Sequence, residues 1–323
     1  MPAPPPATTR RPRWLRVLSG TAIGAAVIAV VASSWSALLA NNPAYLATVL
    51  AAALLAAVLL ATGLRRRTPP RPGALRTTLR MLAALAGVGL AGAVLWLKPF
   101  PAQQVALDAL ASDDDVTITD TRTRTIFEPV GVPQAGFVLY PGARVDPRAY
   151  AVLAHEIARS GVRVVVPKCP FDLALLCVDA ADSYVSGDLA WSVGGHSLGG
   201  VAASSYVAET PASSTRDASP SAPPGLVLWA SYPNDDLSSR TDVPTTSIYG
   251  SNDALTTPAD VDARRDLLPA DTAYVRVDGA IHAFFGDYGP QPGDGEPGTT
   301  RADAQAQITA ATLTALGAAD PGR

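Results

Sequence analysis

The chain has 323 residues, 48% of them hydrophobic and 16% charged, with a net charge of −3 at pH 7. That length allows two average domains or one larger α/β domain. The acidic balance, with no basic stretch interleaved with aromatics in the C-terminal two-thirds, excludes a nucleic-acid binder.

The apolar excess is concentrated before Lys98. Three runs (17–39, 45–64 and 79–97) each come near the ~20 residues that cross a bilayer as a helix, and none contains an acidic residue. Trp14, Trp35, Tyr45 and Trp96 fall near their ends, where amphipathic rings favour the membrane interface. Gly87, Gly89 and Gly92 allow close helix packing. Arg10, Arg11, Arg13 and Arg16 precede the first run, and Arg65, Arg66, Arg67, Arg71, Arg76 and Arg80 fill the second connection. The first connection, Asn41-Asn42-Pro43, is uncharged. The positive-inside rule therefore puts the N-terminus and the arginine-rich loop in the cytoplasm, and everything after Lys98 outside it. The expected organisation is a multi-pass anchor in the cell membrane over residues 1–100 and an extracytoplasmic domain over 101–323. A cleaved signal peptide is the competing reading of the first run, and it leaves the remaining topology unchanged. The runs lack the polar constellation of a transporter.

From Pro101 the pattern becomes that of alternating strands and helices. Residues 116–119 and 123–127 read as a hairpin about Asp120–Arg122. Buried-type strands are expected at 136–140, 162–166, 189–193, 226–229, 246–249 and 274–277. Helices are expected at 147–160, 201–208, 258–268 and 301–316. The alternation predicts a doubly wound, mostly parallel α/β sheet. Residues 210–224, rich in Ser, Pro, Ala and Thr, read as an exposed loop.

Within this frame, Gly195-His196-Ser197-Leu198-Gly199 is the most informative stretch. A G-x-S-x-G between strand and helix forms a sharp turn that presents the serine hydroxyl and sets the next N–H at a helix N-terminus. A serine hydroxyl needs a base, and the chain has three histidines. His155 lies mid-helix and His196 inside the turn, facing away from the reacting side, so both are read as structural. His282 follows the last strand and is the expected base. The expected acid is Asp253, after the strand at 246–249, with Asp235 and Asp236 as rivals one strand earlier. The order Ser, Asp, His is that of one class of hydrolase. The oxyanion donors are expected at the Leu198 N–H and the Ala143 N–H, with Gly142 as second candidate for the latter. Arg144 is either a contact for an anionic substrate group or a surface residue. Cys169 and Cys177, the only cysteines, are expected to form a disulfide near the site or to stay as two buried thiols. The acidic, glycine-rich run 286–298, with Asp287, Asp294 and Glu296, does not have EF-hand spacing, so no metal is assigned. No cofactor is expected.

Four segments carry a resemblance: Tyr140-Pro141-Gly142-Ala143-Arg144-Val145-Asp146-Pro147, Pro170-Phe171-Asp172-Leu173-Ala174, Gly194 to Gly200, and His282-Ala283-Phe284-Phe285-Gly286-Asp287-Tyr288-Gly289. Through them, residues 116–316 resemble the α/β-hydrolase superfamily, in particular the bacterial fold-5 branch related to dienelactone hydrolases. The resemblance implies a triad on Ser197, His282 and Asp253 acting on ester, thioester or similar acyl bonds of a small molecule or lipid. The dienelactone enzymes carry cysteine where this chain has Ser197, so lactone specificity does not follow. Only 230–245 separates two expected strands, too little for a cap, so the site should be open and shaped by the loops at 171–181 and 284–295. The expectation is an extracytoplasmic serine hydrolase whose partners are the acyl substrate and the lipid bilayer. An acyltransferase of envelope lipids and a non-catalytic membrane scaffold are the alternatives.

Overall fold

The computed structural model describes residues 13–65, 73–185, 189–211 and 225–318. Most of the expected loop at 210–224 lies outside the described residues. The chain divides into two compact units, one of Met1–Leu39 with Pro43–Lys98 and one of Ala40–Asn42 with Pro99–Arg323.

The first unit contains α1 (Trp14–Ala40), α2 (Pro43–Leu64) and α3 (Ala74–Trp96). All three are long and apolar enough to cross a membrane. Small residues set their approach: a side chain at Gly20 would press on Leu60 and the Ala56 carbonyl, and one at Gly87 on Ser19. The Tyr45 hydroxyl donates to the Val94 carbonyl (2.9 Å), which satisfies a phenol that is 5% exposed. Helix α3 begins five residues before the expected position, because Leu75, Thr77 and Thr78 continue the helix past the arginines that bounded the apolar run.

The second unit is built on an eight-stranded sheet of order β1-β2-β4-β3-β5-β6-β7-β8. Its strands are β1 (Val116–Asp120), β2 (Arg124–Pro129), β3 (Ala135–Tyr140), β4 (Val162–Pro167), β5 (Trp191–His196), β6 (Gly225–Trp229), β7 (Thr245–Gly250) and β8 (Ala273–Val277). The hairpin β1–β2 is antiparallel, and β2 joins β4 antiparallel. From β4 onward every pairing is parallel. The central strands are buried on both faces, which explains their unbroken apolar sequences. Period-two alternation divides them between two cores. Phe137, Leu139, Val164, Val166, Val227 and Trp229 pack on one face, and Val138, Tyr140, Val165, Leu226 and Leu228 on the other.

The helices of this unit are α4 (Gln104–Asp108), α5 (Ala151–Arg159), α6 (Leu198–Glu209), α7 (Pro258–Asp262) and α8 (Arg301–Ala315). Helices α5 and α8 cover the first core. Helix α6 covers the second through Ala202, Ala203, Tyr206 and Val207. Several bounds differ from expectation. Strand β5 starts at Trp191 instead of 189 and runs to His196, so the serine follows the strand directly. The helix expected at 147–160 opens with a 3-10 turn over Pro147–Tyr150, where the Asp146 side chain caps the Arg148 N–H. The helix expected at 258–268 is one turn long. Arg264 leaves helical geometry, and Arg265 stacks on Tyr274 with its guanidinium 3.7 Å from the ring centre.

Candidate active site

The sheet directs the chemistry-bearing residues to one edge. Ser197, Asp253, His282 and the Ala143 turn all follow the carboxyl ends of strands, namely β5, β7, β8 and β3.

Ser197 sits between β5 and α6 with φ 54° and ψ −122°, a left-handed conformation that costs a non-glycine residue about 1–3 kcal/mol. Four bonds hold it there, one of them from the Val201 N–H to the Ser197 carbonyl (3.3 Å). Its N–H donates to the Trp229 carbonyl (2.9 Å), and its carbonyl accepts from the Gly200 N–H (2.9 Å) and the Ser231 hydroxyl (2.7 Å). The flanking glycines are required by close approach. A side chain at Gly195 would run into the Gly199 backbone, and one at Gly199 into the Tyr140 and Pro141 carbonyls. Leu198 is the first residue of α6, so its N–H has no partner within the helix.

Asp253 and His282 are brought together. Asp253 Oδ2 lies 2.8 Å from His282 Nδ1, and both side chains are almost completely buried. Asp253 Oδ1 accepts from the Leu255 (2.8 Å) and Thr256 (2.7 Å) N–H groups. A carboxylate so engaged accepts a hydrogen bond from the Nδ1–H of the imidazole and leaves Nε2 as the basic atom. The rival acids are placed elsewhere: Asp235 accepts from Ser205 (2.7 Å), and Asp236 from Ser238 (2.6 Å). No hydrogen bond joins Ser197 Oγ to His282 among the described residues. The two are linked by adjacency, since the His282 ring centre lies 4.5 Å from that of His196, the residue before Ser197.

His196 corrects the sequence reading. Its side chain does not turn away from the site; it is fully buried beneath His282 and stacks on Phe285 at 5.8 Å. Its Nδ1 is 2.8 Å from the Tyr150 hydroxyl, which also accepts from the Gly142 N–H (2.8 Å). The phenol therefore donates to Nδ1, and His196 carries its own proton on Nε2. Burial holds the His196 imidazole well below its ordinary pKa, and the neighbouring His282 adds to the shift. Gly142 is also corrected: its N–H is committed to Tyr150 and is not an oxyanion donor. Ala143, half-buried at the turn, has no backbone partner for its N–H among the described residues. The next residue, Arg144, has a positive φ of 60°, and its guanidinium lies over the Phe100 ring at 4.9 Å.

Two further residues were missed because they act on backbone atoms, and no motif marks them. Asp294 accepts from the N–H groups of His282 (3.0 Å), Ala283 (2.8 Å) and Gly295 (2.8 Å). Arg301, at the start of α8, donates to the carbonyls of Ala283, Gly286 and Tyr288, and its pKa is lowered by burial. One side chain ties down the donors of the His282 loop and the other its acceptors. A disulfide joins Cys169 and Cys177, eight residues apart.

The family model described as alpha/beta hydrolase family matches residues 136–307. No curated protein matches the chain. Among solved structures, the chain is similar to TT1662 from Thermus thermophilus, at 14% identity and TM-score 0.44 over 63% of this chain and 99% of that one. It is also similar to carboxyl esterase 2 from the mycorrhizal fungus Tuber melanosporum, at 17% identity and TM-score 0.43 over 68% and 91%. A third is Thermogutta terrifontis esterase 2 phosphorylated by paraoxon, at 14% identity and TM-score 0.43 over 64% and 96%.

Proposed function

This chain belongs to the alpha/beta hydrolase family, and from that premise we propose that it is a serine hydrolase of ester or related acyl bonds, held in the cell membrane by residues 1–100 with its catalytic unit outside the cytoplasm. The observation that carries this reading is the buried Asp253–His282 pair beside a serine held in a strained turn.

Ser197 Oγ attacks the acyl carbonyl while His282 Nε2 takes its proton. Asp253 keeps the imidazole in the required tautomer and stabilises the imidazolium. The N–H groups of Leu198 and Ala143 receive the developing oxyanion. His282 then passes the proton to the leaving group. A water, activated by the same imidazole, attacks the acyl-serine and frees Ser197. The cytoplasmic side is assigned to the arginine-rich connection. The Cys169–Cys177 disulfide supports the opposite, oxidising side for the catalytic unit.

The test is labelling of the full chain in vesicles with a fluorophosphonate, with adducts mapped by mass spectrometry. The reading requires an adduct on Ser197 that is absent from Ser197→Ala and strongly reduced in His282→Ala. A folded wild-type chain without an adduct would overturn it.

A further inference from the structure

One phenol joins the two halves of the candidate site. Tyr150 closes the 3-10 turn Pro147–Tyr150 and is completely buried. Its hydroxyl accepts from the Gly142 N–H and donates to His196 Nδ1, each at 2.8 Å. The polarity of this chain is fixed at its start. A backbone N–H can only donate, so the single phenolic proton goes to the imidazole. Burial raises the Tyr150 pKa, so that proton stays in place.

Each end of the chain lies one residue from a reacting group. Gly142 precedes Ala143, whose N–H is the second oxyanion donor of the proposed mechanism, and His196 precedes Ser197. The Gly142 carbonyl and the Ala143 N–H share one peptide plane, so what orients Gly142 orients the donor. Pro141 has no N–H to contribute. The Gly142–Tyr150 bond is therefore the first N–H anchor of the turn. It comes ahead of the Arg144 N–H on the Asp172 carbonyl (2.7 Å) and the Val145 N–H on the Gly142 carbonyl (3.1 Å). The fit is close: a side chain at Gly142 would begin 2.8 Å from His196 Nδ1 and 3.2 Å from the Tyr150 oxygen.

Stability alone does not call for a polar pair here. The His196 ring packs against Phe285 at 5.8 Å and Tyr288 at 6.0 Å. In such surroundings, replacing a buried hydrogen-bonded pair by apolar groups of the same shape is close to neutral. What the pair supplies is direction. His196 holds the hydroxyl, and the hydroxyl holds the turn.

We infer that Tyr150 and His196 are positioning residues of the acylation step, aiming the Ala143 N–H at the oxyanion through the Tyr150 hydroxyl. This rests on the serine-hydrolase reading. In that step the Ser197 Oγ–acyl bond forms and the Ser197 proton passes to His282 Nε2. The electron pair of the carbonyl π bond moves to the oxygen that the Ala143 N–H receives. A donor displaced by about 1 Å costs up to ~10²-fold in rate.

The test is the rate of fluorophosphonate labelling of Ser197 on the full chain in vesicles, with circular dichroism melting beside it. Attack of Oγ on phosphorus releases fluoride and puts the phosphonyl oxygen at the oxyanion position, so the rate reads the donors directly. Tyr150→Phe keeps the ring and removes the hydroxyl; it should label about 10- to 100-fold more slowly than the wild type. His196→Phe keeps a stacking ring and removes the acceptor, whereas His196→Asn loses the ring and keeps an acceptor oxygen at the Nδ1 position. His196→Asn should label at least threefold faster than His196→Phe, because a role in packing alone gives the reverse order. That order decides the matter even if Tyr150→Phe fails to fold. A folded Tyr150→Phe within tenfold of the wild type, or His196→Phe as fast as His196→Asn, would overturn the inference and leave the hydrolase standing. A folded wild type with no adduct on Ser197 would remove the hydrolase reading and the inference with it.

Discussion

Replacing Asp253 by asparagine separates orientation of the imidazole from stability of the loop. Asp253 Oδ1 receives two backbone N–H groups, from Leu255 and Thr256, and Oδ2 faces His282 Nδ1 at 2.8 Å. An asparagine has one acceptor oxygen. Turning its amide nitrogen toward the two N–H groups would leave both without an acceptor, at about 2–6 kcal/mol. The oxygen therefore stays on the Oδ1 side, and the amide nitrogen faces His282 as a donor. His282 must then accept on Nδ1 and carry its proton on Nε2, where it can no longer take one from Ser197. The expected loss in kcat is about 10³–10⁴-fold, the scale known for the same change in a trypsin-type triad, equivalent to ~4–5.5 kcal/mol. The loop bonds survive, so the thermal midpoint should move little. The assay is the rate of fluorophosphonate labelling of Ser197 beside 4-nitrophenyl acetate turnover, with circular dichroism melting as control. A variant within tenfold of the wild type, while Ser197→Ala is inactive, would refute the assignment of Asp253.

Asp294→Ala should lower kcat at least tenfold, because it releases the N–H groups of His282 and Ala283 that hold the base's loop; Asp294→Asn, which keeps one acceptor, should recover part of the loss. Equal kinetics for wild type and Asp294→Ala would show that the loop holds its shape without the carboxylate. The buried His196 imidazole, with its folded pKa below the unfolded 6.5, binds fewer protons in the folded state than in the unfolded one. Stability should therefore be fully present above about pH 6.5 and fall as the pH drops below it, by at most about 1.4 kcal/mol per pH unit. Asp172, raised by burial, acts with the opposite sign above 3.8, so the measurement is the difference in urea midpoint between wild type and His196→Gln. A difference that does not change with pH would contradict the neutral buried imidazole.

The sheet and the serine turn were legible because both write themselves into local pattern. Strands buried on two faces are continuous apolar runs such as Phe137-Val-Leu-Tyr140, and a turn that admits no side chain at two flanking positions leaves a fixed glycine spacing. Asp253 and His282, which the structure pairs, stand out in the sequence by their place after β7 and β8 in chain order. His196 was misread because its role depends on what lies across the sheet edge: Tyr150 comes from one distant segment and His282 and Phe285 from another. Gly142 was misassigned for the same reason, since a hydroxyl eight residues away claims its N–H. Asp294 and Arg301 left no signal at all, because each binds backbone atoms that every sequence possesses. Helix α7 stops at Asp262 and leaves helical geometry at Arg264, just before Arg265 stacks on Tyr274, a contact from a distant strand that the local pattern does not carry.

The order of the proposed triad along the chain has a consequence for synthesis. Ser197 is in place once β5 and β6 pair, yet its base arrives only after β8, the last strand of the sheet. Helix α8 must follow too, since Arg301 gathers the carbonyls of the His282 loop. A ribosome-bound or prematurely terminated product can thus display the serine without being able to use it. Turnover becomes an all-or-none report that α8 has been made and has closed over the His282 loop.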